Sequence, residues 1–254
     1  MLSNRRRIFC TALIVFTVAV VVPVLAQKPS GRFGHAVERS RDSARVVTAL
    51  ALVPDSGLPK ELVDKAQAFA VFPEVETESS LFTSISQGYG VISARTADGW
   101  TMPAYYAFGG GGYTKRFFQK NDKHAVILLF MSDDALGWFE KGGVPLANEK
   151  RAMAGPVTQT LTDEQRKEVE GAQVLAYIYY NGKLDGTAFG KSFWKKFRLN
   201  PDNNINTPMY GIKGRLVLAR EKIPSVTIPD GIDAYQKALQ TYYPTVPVGS
   251  TKND

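Results

Sequence analysis

Cysteine is nearly missing from this 254-residue chain: Cys10 is the only one. It lies in an apolar run at the start and does not follow a lipobox, so no lipoprotein signal is read. Cleavage after Ala26 would remove it and leave a chain with no disulfide, no thiol nucleophile and no Cys metal ligand. Histidine is almost as scarce, with His35 and His124 alone. His35 falls in a polar linker and His124 in a turn before a strand. Neither has a second His or a paired carboxylate at ligand spacing, so no metal site is expected. No G-x-S-x-G marks a nucleophile elbow. The four-glycine run is followed neither by Lys-Ser/Thr nor by a helix pattern, which argues against a phosphate loop. No cofactor is implied. There is also no long basic block, so nothing points to nucleic acid.

Arg5, Arg6 and Arg7 precede apolar residues from Ile8 to Ala26, and Val24-Leu25-Ala26 offers small residues for a signal peptidase. That pattern reads as a secretory signal peptide over 1–26. The run is long for an h-region, which leaves an uncleaved N-terminal membrane anchor as the alternative. Either way the expected location is the periplasm or cell envelope. The net charge is +7; without the leader arginines, 28 basic residues face 24 acidic ones, or +4. A mildly basic exported chain is suited to an anionic surface such as lipid headgroups.

The most organised stretch runs from Gly88 to Gly112. Two arms rich in aromatic and β-branched residues flank Thr96-Ala97-Asp98-Gly99, whose Asp-Gly pair favours the φ > 0 geometry of a tight hairpin. Strands are expected near 88–95 and 100–108, with Trp100, Tyr105 and Tyr106 in the core. Gly109, Gly110, Gly111 and Gly112 have no side chains to pack. They imply a close backbone neighbour or a sharp bend.

Elsewhere, 27–35 reads as a linker and 36–53 as an amphipathic helix ended by Pro54 and Gly57. Residues 59–65 read as a short helix, 68–72 as a strand and 74–80 as an acidic loop. A third strand is expected over 113–119. Residues 125–131 form a near-continuous apolar run, expected as a central, doubly covered strand. Ser132-Asp133-Asp134 caps a short helix through Phe139. A short edge strand is expected over 152–157, and 161–171 is charged and solvent-facing. A second hairpin, 173–180 with 184–189, turns at Asn181-Gly182. Residues 200–206 read as a loop, 211–219 as a last strand and 230–242 as a helix before a Pro-rich tail. Strands that come in hairpins, not alternating with helices, predict an α+β fold. Its sheet is expected to be curled or barrel-like and mainly antiparallel, made of short strands. N-terminal helices and a few short peripheral helices complete it.

A family resemblance is carried by an ordered series. It begins with Ala68-Phe69-Ala70-Val71-Phe72-Pro73-Glu74, then Gly88-x-Gly90 with Arg95, Gly99-Trp100-x-x-Pro103 and Gly109–Gly112. It continues through Leu128-Leu129-Phe130-Met131-Ser132, Ala154-Gly155-Pro156-Val157, and Val174-Leu175-Ala176-Tyr177 with Gly182 and Gly186. It closes on Asn206 and Tyr210-Gly211. Over about 40–220 the chain resembles the SYLF domain, which sets the expected domain at 36–222 and the C-terminal helix and tail at 223–254. The family is similar to lipid-binding modules. Eukaryotic members bind phosphoinositides, some fungal ones also bind actin, and bacterial members are typically exported. The resemblance implies binding and not catalysis. The chain departs from the family at Thr114, Arg116 and Phe118, where Gly and Gln are usual. It departs again at Glu149-Lys150-Arg151, where small apolar residues are usual. Both surfaces are therefore more cationic and bulkier.

Lys191, Phe193, Trp194, Lys195, Lys196, Phe197 and Arg198 form the candidate contact surface. In a helix Phe193 and Phe197 lie one turn apart beside Trp194, rimmed by the cations. Such a face suits the headgroup boundary of a membrane. The alternative has the aromatics covering the sheet and the lysines in water. Lys115, Arg116, Phe117 and Lys120 have similar composition and are read with it. The expected function is a non-enzymatic, membrane-associating module that binds anionic lipid. The alternative is an envelope scaffold that binds a protein partner through the same face.

Overall fold

The computed structural model describes residues 31–52, 57–79, 84–112, 123–132, 134–135, 152–186, 198–224 and 226–245. Helices α1 (Arg32–Ala51) and α2 (Lys60–Lys65) come first. Strands β1 (Ala68–Ser79), β2 (Ser84–Thr96), β3 (Gly99–Trp100), β4 (Ala104–Gly112), β5 (His124–Phe130) and β6 (Ala152–Ala154) follow. Then come α3 (Asp163–Val169), β7 (Val174–Tyr180), β8 (Lys183–Asp185), β9 (Arg198–Pro201), α4 (Asn203–Tyr210), α5 (Gly214–Leu218) and α6 (Ala234–Tyr242). The strands make one strongly curled, half-barrel sheet in the order β6-β7-β5-β1-β2-β4-β9, with β3 on β2 and β8 on β7. Every pairing is antiparallel except β6 with β7. The α+β expectation holds.

β5 is buried along its whole length between β1 and β7, as its unbroken apolar run predicts. β6 lies at the sheet edge as expected. Asn181 and Gly182 turn the β7–β8 hairpin at φ 48° and 77°, the left-handed pair that Asn-Gly favours. The first hairpin forms where expected, but its second arm breaks between β3 and β4 and its turn geometry differs. Thr96 pairs with Gly99, so Ala97-Asp98 is the loop, and only Gly99 has positive φ, at 148°.

β1 does not stop at Pro73. It runs to Ser79 through a bulge, so the acidic loop expected over 74–80 is strand as far as Ser79. Val71 faces Val91 and Glu74 faces Tyr89, so β1 has one residue more than β2 over this step. Against β5 the same shift falls between Phe72 and Val75. Proline has no N–H for the ladder, and a bulge is where a strand tolerates it. The extra residue resets which face each side chain takes. Val75 is fully buried, while Glu74 and Glu76 are exposed. An unshifted strand would bury the glutamates. The kinked β1 backbone also crowds β2. A Cβ on Gly90 would collide with the Val71 carbonyl and lie 2.7 Å from Phe72 Cα; one on Gly88 would lie 2.8 Å from the Glu74 carbonyl oxygen.

α1 and α6 pack together on the face of the sheet that carries Phe69 and Val71. The buried stripe of α1 holds Val37, Val47 and Leu50, and also Ser40 and Ser43. Both serines are satisfied by neighbours. Ser40 Oγ donates to Ile232 O at 2.6 Å and accepts from Tyr235 N–H at 3.1 Å; Ser43 Oγ reaches Val71 O at 3.4 Å. α6 brings Tyr235 fully into the core, where its hydroxyl donates to Phe69 O at 2.8 Å. Arg95 closes the end of α2, donating to Ala66 O and Val63 O at 2.8 and 2.6 Å with its guanidinium 4.3 Å over Trp100. Burial lowers its pKa from the usual arginine value.

Four local expectations are corrected. The linker expected over 27–35 overlaps α1, which starts at Arg32 behind Gly31 at φ 90°. The loop expected over 200–206 is the end of β9 and the start of α4. The strand expected over 211–219 is the helix α5, a run too short for periodicity to separate the two. Arg198 begins β9, so the helical stretch expected over 191–198 does not include it; 191–197 lie outside the described residues. So do the leader over 1–26 and the strand expected over 113–119. Ser132 Oγ does accept Ala135 N–H at 3.2 Å, the expected cap, although the helix beyond 135 is outside the described residues.

The crowding at Gly90 predicts that Gly90→Ala destabilises by about 2 kcal/mol or more, because backbone must move. Gly109→Ala has nothing within 4 Å of its new Cβ and changes stability by less than about 0.5 kcal/mol. Urea unfolding of both variants checks this, and equal losses would contradict it. Burial also raises the phenol pKa of Tyr105, Tyr106, Tyr177, Tyr210 and Tyr235, and pushes Tyr243 up to about 12. The unfolded chain ionises these groups near pH 10, so their stabilisation is complete below that pH and falls as pH rises above it. Absorbance titration should show these phenols ionising together with unfolding. Independent ionisation near pH 10 in a folded protein would contradict it.

Candidate functional site

The sheet end formed by Ser79, Ser84, Gly112 and Arg198 is the one next to the expected contact segments. Gly112 pairs with Ser84, and Gly109 pairs with Arg198 across β4 and β9. Arg198 is exposed. It is the one member of the expected contact set among the described residues. Lys115, Arg116, Phe117, Lys120, Lys191, Phe193, Trp194, Lys195, Lys196 and Phe197 lie outside them. Chain order still ties both groups to this end, because 113–120 follow β4 directly and 191–197 precede β9 directly.

The glycines of the sequence reading have separate roles. Gly88 and Gly90 answer the β1 bulge, as above. Gly99 lies against Gln240, whose Nε2 would be 2.6 Å from an added Cβ, and Gly155 lies against the Tyr177 ring. At Gly109 the expected close neighbour is not found. Gly110, Gly111 and Gly112 continue β4 opposite Ser86, Ile85 and Ser84.

Between the first half of α1 and the sheet, a cleft of about 380 Å³ opens. One wall is the first half of α1, with Glu38, Arg39 and Asp42. The other is the sheet beyond the bulge, with Glu74, Glu76 and Tyr89. Tyr89 stands between two glycines, keeps 55% of its surface exposed and carries the Arg39 guanidinium 4.4 Å over its ring. Arg39 Nη1 is also 3.0 Å from Asp202, a half-buried ion pair that ties α1 to the start of α4. Lys123 lies 3.0 Å from Glu74 and 3.9 Å from Glu76. The hydrogen bond to Glu74 raises the Lys123 pKa. Sequence reasoning missed Arg39, Tyr89 and Asp202 because they meet only through the fold. The Gly-Tyr-Gly spacing, an aromatic with no side chain on either neighbour, was the available signal.

β4 is held from the other side by Asn206. Its Oδ1 accepts Tyr105 N–H and its Nδ2 donates to Tyr105 O, both at 2.8 Å, so one buried amide replaces a neighbouring strand. Among the described residues, no group of three or more His, Cys, Asp or Glu is arranged to hold a metal ion, and no helix is long and apolar enough to cross a membrane. His35 is in α1 with its side chain exposed, and His124 begins β5 and is buried.

No protein-family model matches the chain, no curated protein matches it, and no solved structure matches it.

The Arg39–Asp202 pair predicts that Asp202→Asn lowers stability by about 1 kcal/mol, as a partly screened, charge-assisted hydrogen bond should. Urea denaturation checks this. An unchanged midpoint and slope would contradict it.

Proposed function

We infer that this protein is an exported, membrane-associating module of SYLF type. It binds anionic lipid through a basic, aromatic surface and performs no catalysis. The observation that carries the reading is the antiparallel pairing of Gly109 with Arg198. It brings the chain flanking 113–120 and the chain flanking 191–197 to neighbouring strands at one sheet end. The two segments with the most mixed Lys, Arg and Phe outside the leader thus adjoin, in the chain, strand ends that are neighbours in the sheet. Cations within one Debye length of an anionic surface each contribute about 1 kcal/mol. Three of the buried tyrosines brace the scaffold. Tyr105, Tyr210 and Tyr235 donate to the backbone oxygens of Ala36, Pro103 and Phe69 at 3.1, 2.8 and 2.8 Å.

Flotation of the purified protein with phosphatidylglycerol vesicles, against phosphatidylcholine vesicles, tests this. The expected result is recovery with the anionic vesicles only, falling as salt rises. Reversing Lys195 and Lys196 to Glu should weaken partitioning about 30-fold or more, from roughly 2 kcal/mol of lost attraction. Equal recovery with both vesicles, insensitive to salt, would overturn the reading and favour a protein partner on the same face.

A further inference from the structure

We propose that the pocket where α1 and α6 end is a docking site for a proline-containing apolar strand, and that this chain's own C-terminal segment Val246-Pro247-Val248 is its occupant. This corner of the fold lies beside Trp100, at the sheet end opposite Ser84 and Gly112, so its occupant goes beyond the membrane reading.

The pocket measures about 310 Å³, at the lower end of the range of about 300–1,000 Å³ typical of binding sites. Leu50 and Ala51 from the end of α1, Leu58 ahead of α2, and Tyr242 and Tyr243 from the end of α6 line it. The charged lining groups among the described residues are Lys60 and Asp64, which neutralise each other at 2.6 Å. An apolar pocket with no net charge selects an uncharged, apolar occupant. Beside it, Leu52 keeps 68% of its surface exposed and Tyr242 keeps 37%. These are two of the four large hydrophobics that the described residues leave exposed, and both stand where the two helices end. Apolar surface gathered at one corner marks a contact site.

Chain length and direction name the occupant. Tyr243 lines the pocket and the described chain ends at Thr245, so residue 246 follows within three residues of the pocket wall. An extended residue spans about 3.5 Å, which keeps Val246 within about 10 Å of Tyr243. Pro244-Thr245-Val246-Pro247-Val248-Gly249-Ser250-Thr251 carries no charge, as the pocket requires. Prolines three apart favour the extended polyproline conformation, which is recognised by aromatic-lined grooves and has little freedom left to lose on docking. Tyr242 and Tyr243 supply such walls. Attachment in cis gives a local concentration on the order of 1 mM, so a free-peptide Kd of about 0.1 mM leaves the pocket about 90% occupied.

Fluorescence anisotropy of a labelled peptide of residues 244–254 tests this, with the full chain and with a full chain carrying Val246→Asp and Val248→Asp. The peptide should bind the substituted chain one to one. It should bind the unsubstituted chain about ten-fold more weakly, because the chain's own tail competes. A peptide with the same two aspartates should not bind. Tyr242→Ala, at an exposed position, should weaken binding to the substituted chain about five-fold with an unchanged unfolding curve. No binding to the substituted chain, equal binding to both chains, or indifference to Tyr242→Ala would overturn the proposal. Sedimentation should give the same mass for both chains. Dimers that the two aspartates abolish would show the tail reaching a second copy and would overturn docking in cis. These measurements contain no vesicle, so they succeed or fail independently of the flotation result.

Discussion

Pro73 gives β1 one residue more than either neighbouring strand, and the side chains beyond it take their faces from that step. Before the bulge, Phe69 and Val71 lie under α1 and α6. After it, Val75 takes the core and Glu74 and Glu76 meet water. The kink works only if β2 yields space, and Gly88 and Gly90 provide it. The proline and the two glycines thus form a single unit, although Pro73 and Gly88 lie 15 positions apart in the sequence. A bulge also increases local twist, in keeping with the strong curl of the sheet.

The curl leaves two kinds of sheet end. Toward Thr96 and Gly99, helices and aromatic rings close the structure. Trp100 donates to Tyr243 O at 2.9 Å, and Phe69 stacks on Tyr243 with ring centroids 5.6 Å apart. Toward Ser84 and Gly112, the first half of α1 and the sheet enclose an acidic, aromatic cleft lined by Glu38, Glu74, Glu76 and Tyr89. The buried hydroxyls of Tyr105, Tyr210 and Tyr235 and the amide of Asn206 reach backbone groups, which fixes helices onto strands. The three tyrosines and Asn206 each join segments more than 65 residues apart in sequence. Leaving such a group unpaired costs about 1–3 kcal/mol, so these contacts hold the sheet rigid.

Legibility in the sequence followed how local each determinant was. The apolar run of β5 and the Asn181-Gly182 turn carry their signals within a few residues, and both were readable. So was the mainly antiparallel α+β class, from hairpins not separated by helices. Thr162-x-x-Gln165 is a complete capping box that starts α3, and it too can be read from spacing. Asn203 to Tyr210 could not be read as a helix. It is rich in Asn and contains Pro208, and burial of Ile205, Met209 and Tyr210 overrides those propensities. The cleft was illegible for a different reason. Arg39, Glu74, Tyr89 and Asp202 come from four elements, and only the completed sheet brings them together.

In the proposed membrane-bound state, one sheet end faces lipid and the other faces away. A polarity-sensitive fluorophore placed in turn at Arg198 and at Asp98 tests this most directly. Both positions are exposed, at opposite ends of the β2–β4 ribbon and about 30 Å apart along the strand direction. On addition of phosphatidylglycerol vesicles, the label at 198 should shift to the blue and become shielded from an aqueous quencher, and the label at 98 should not change. Shielding of both labels alike, or of the one at 98 alone, would contradict the account.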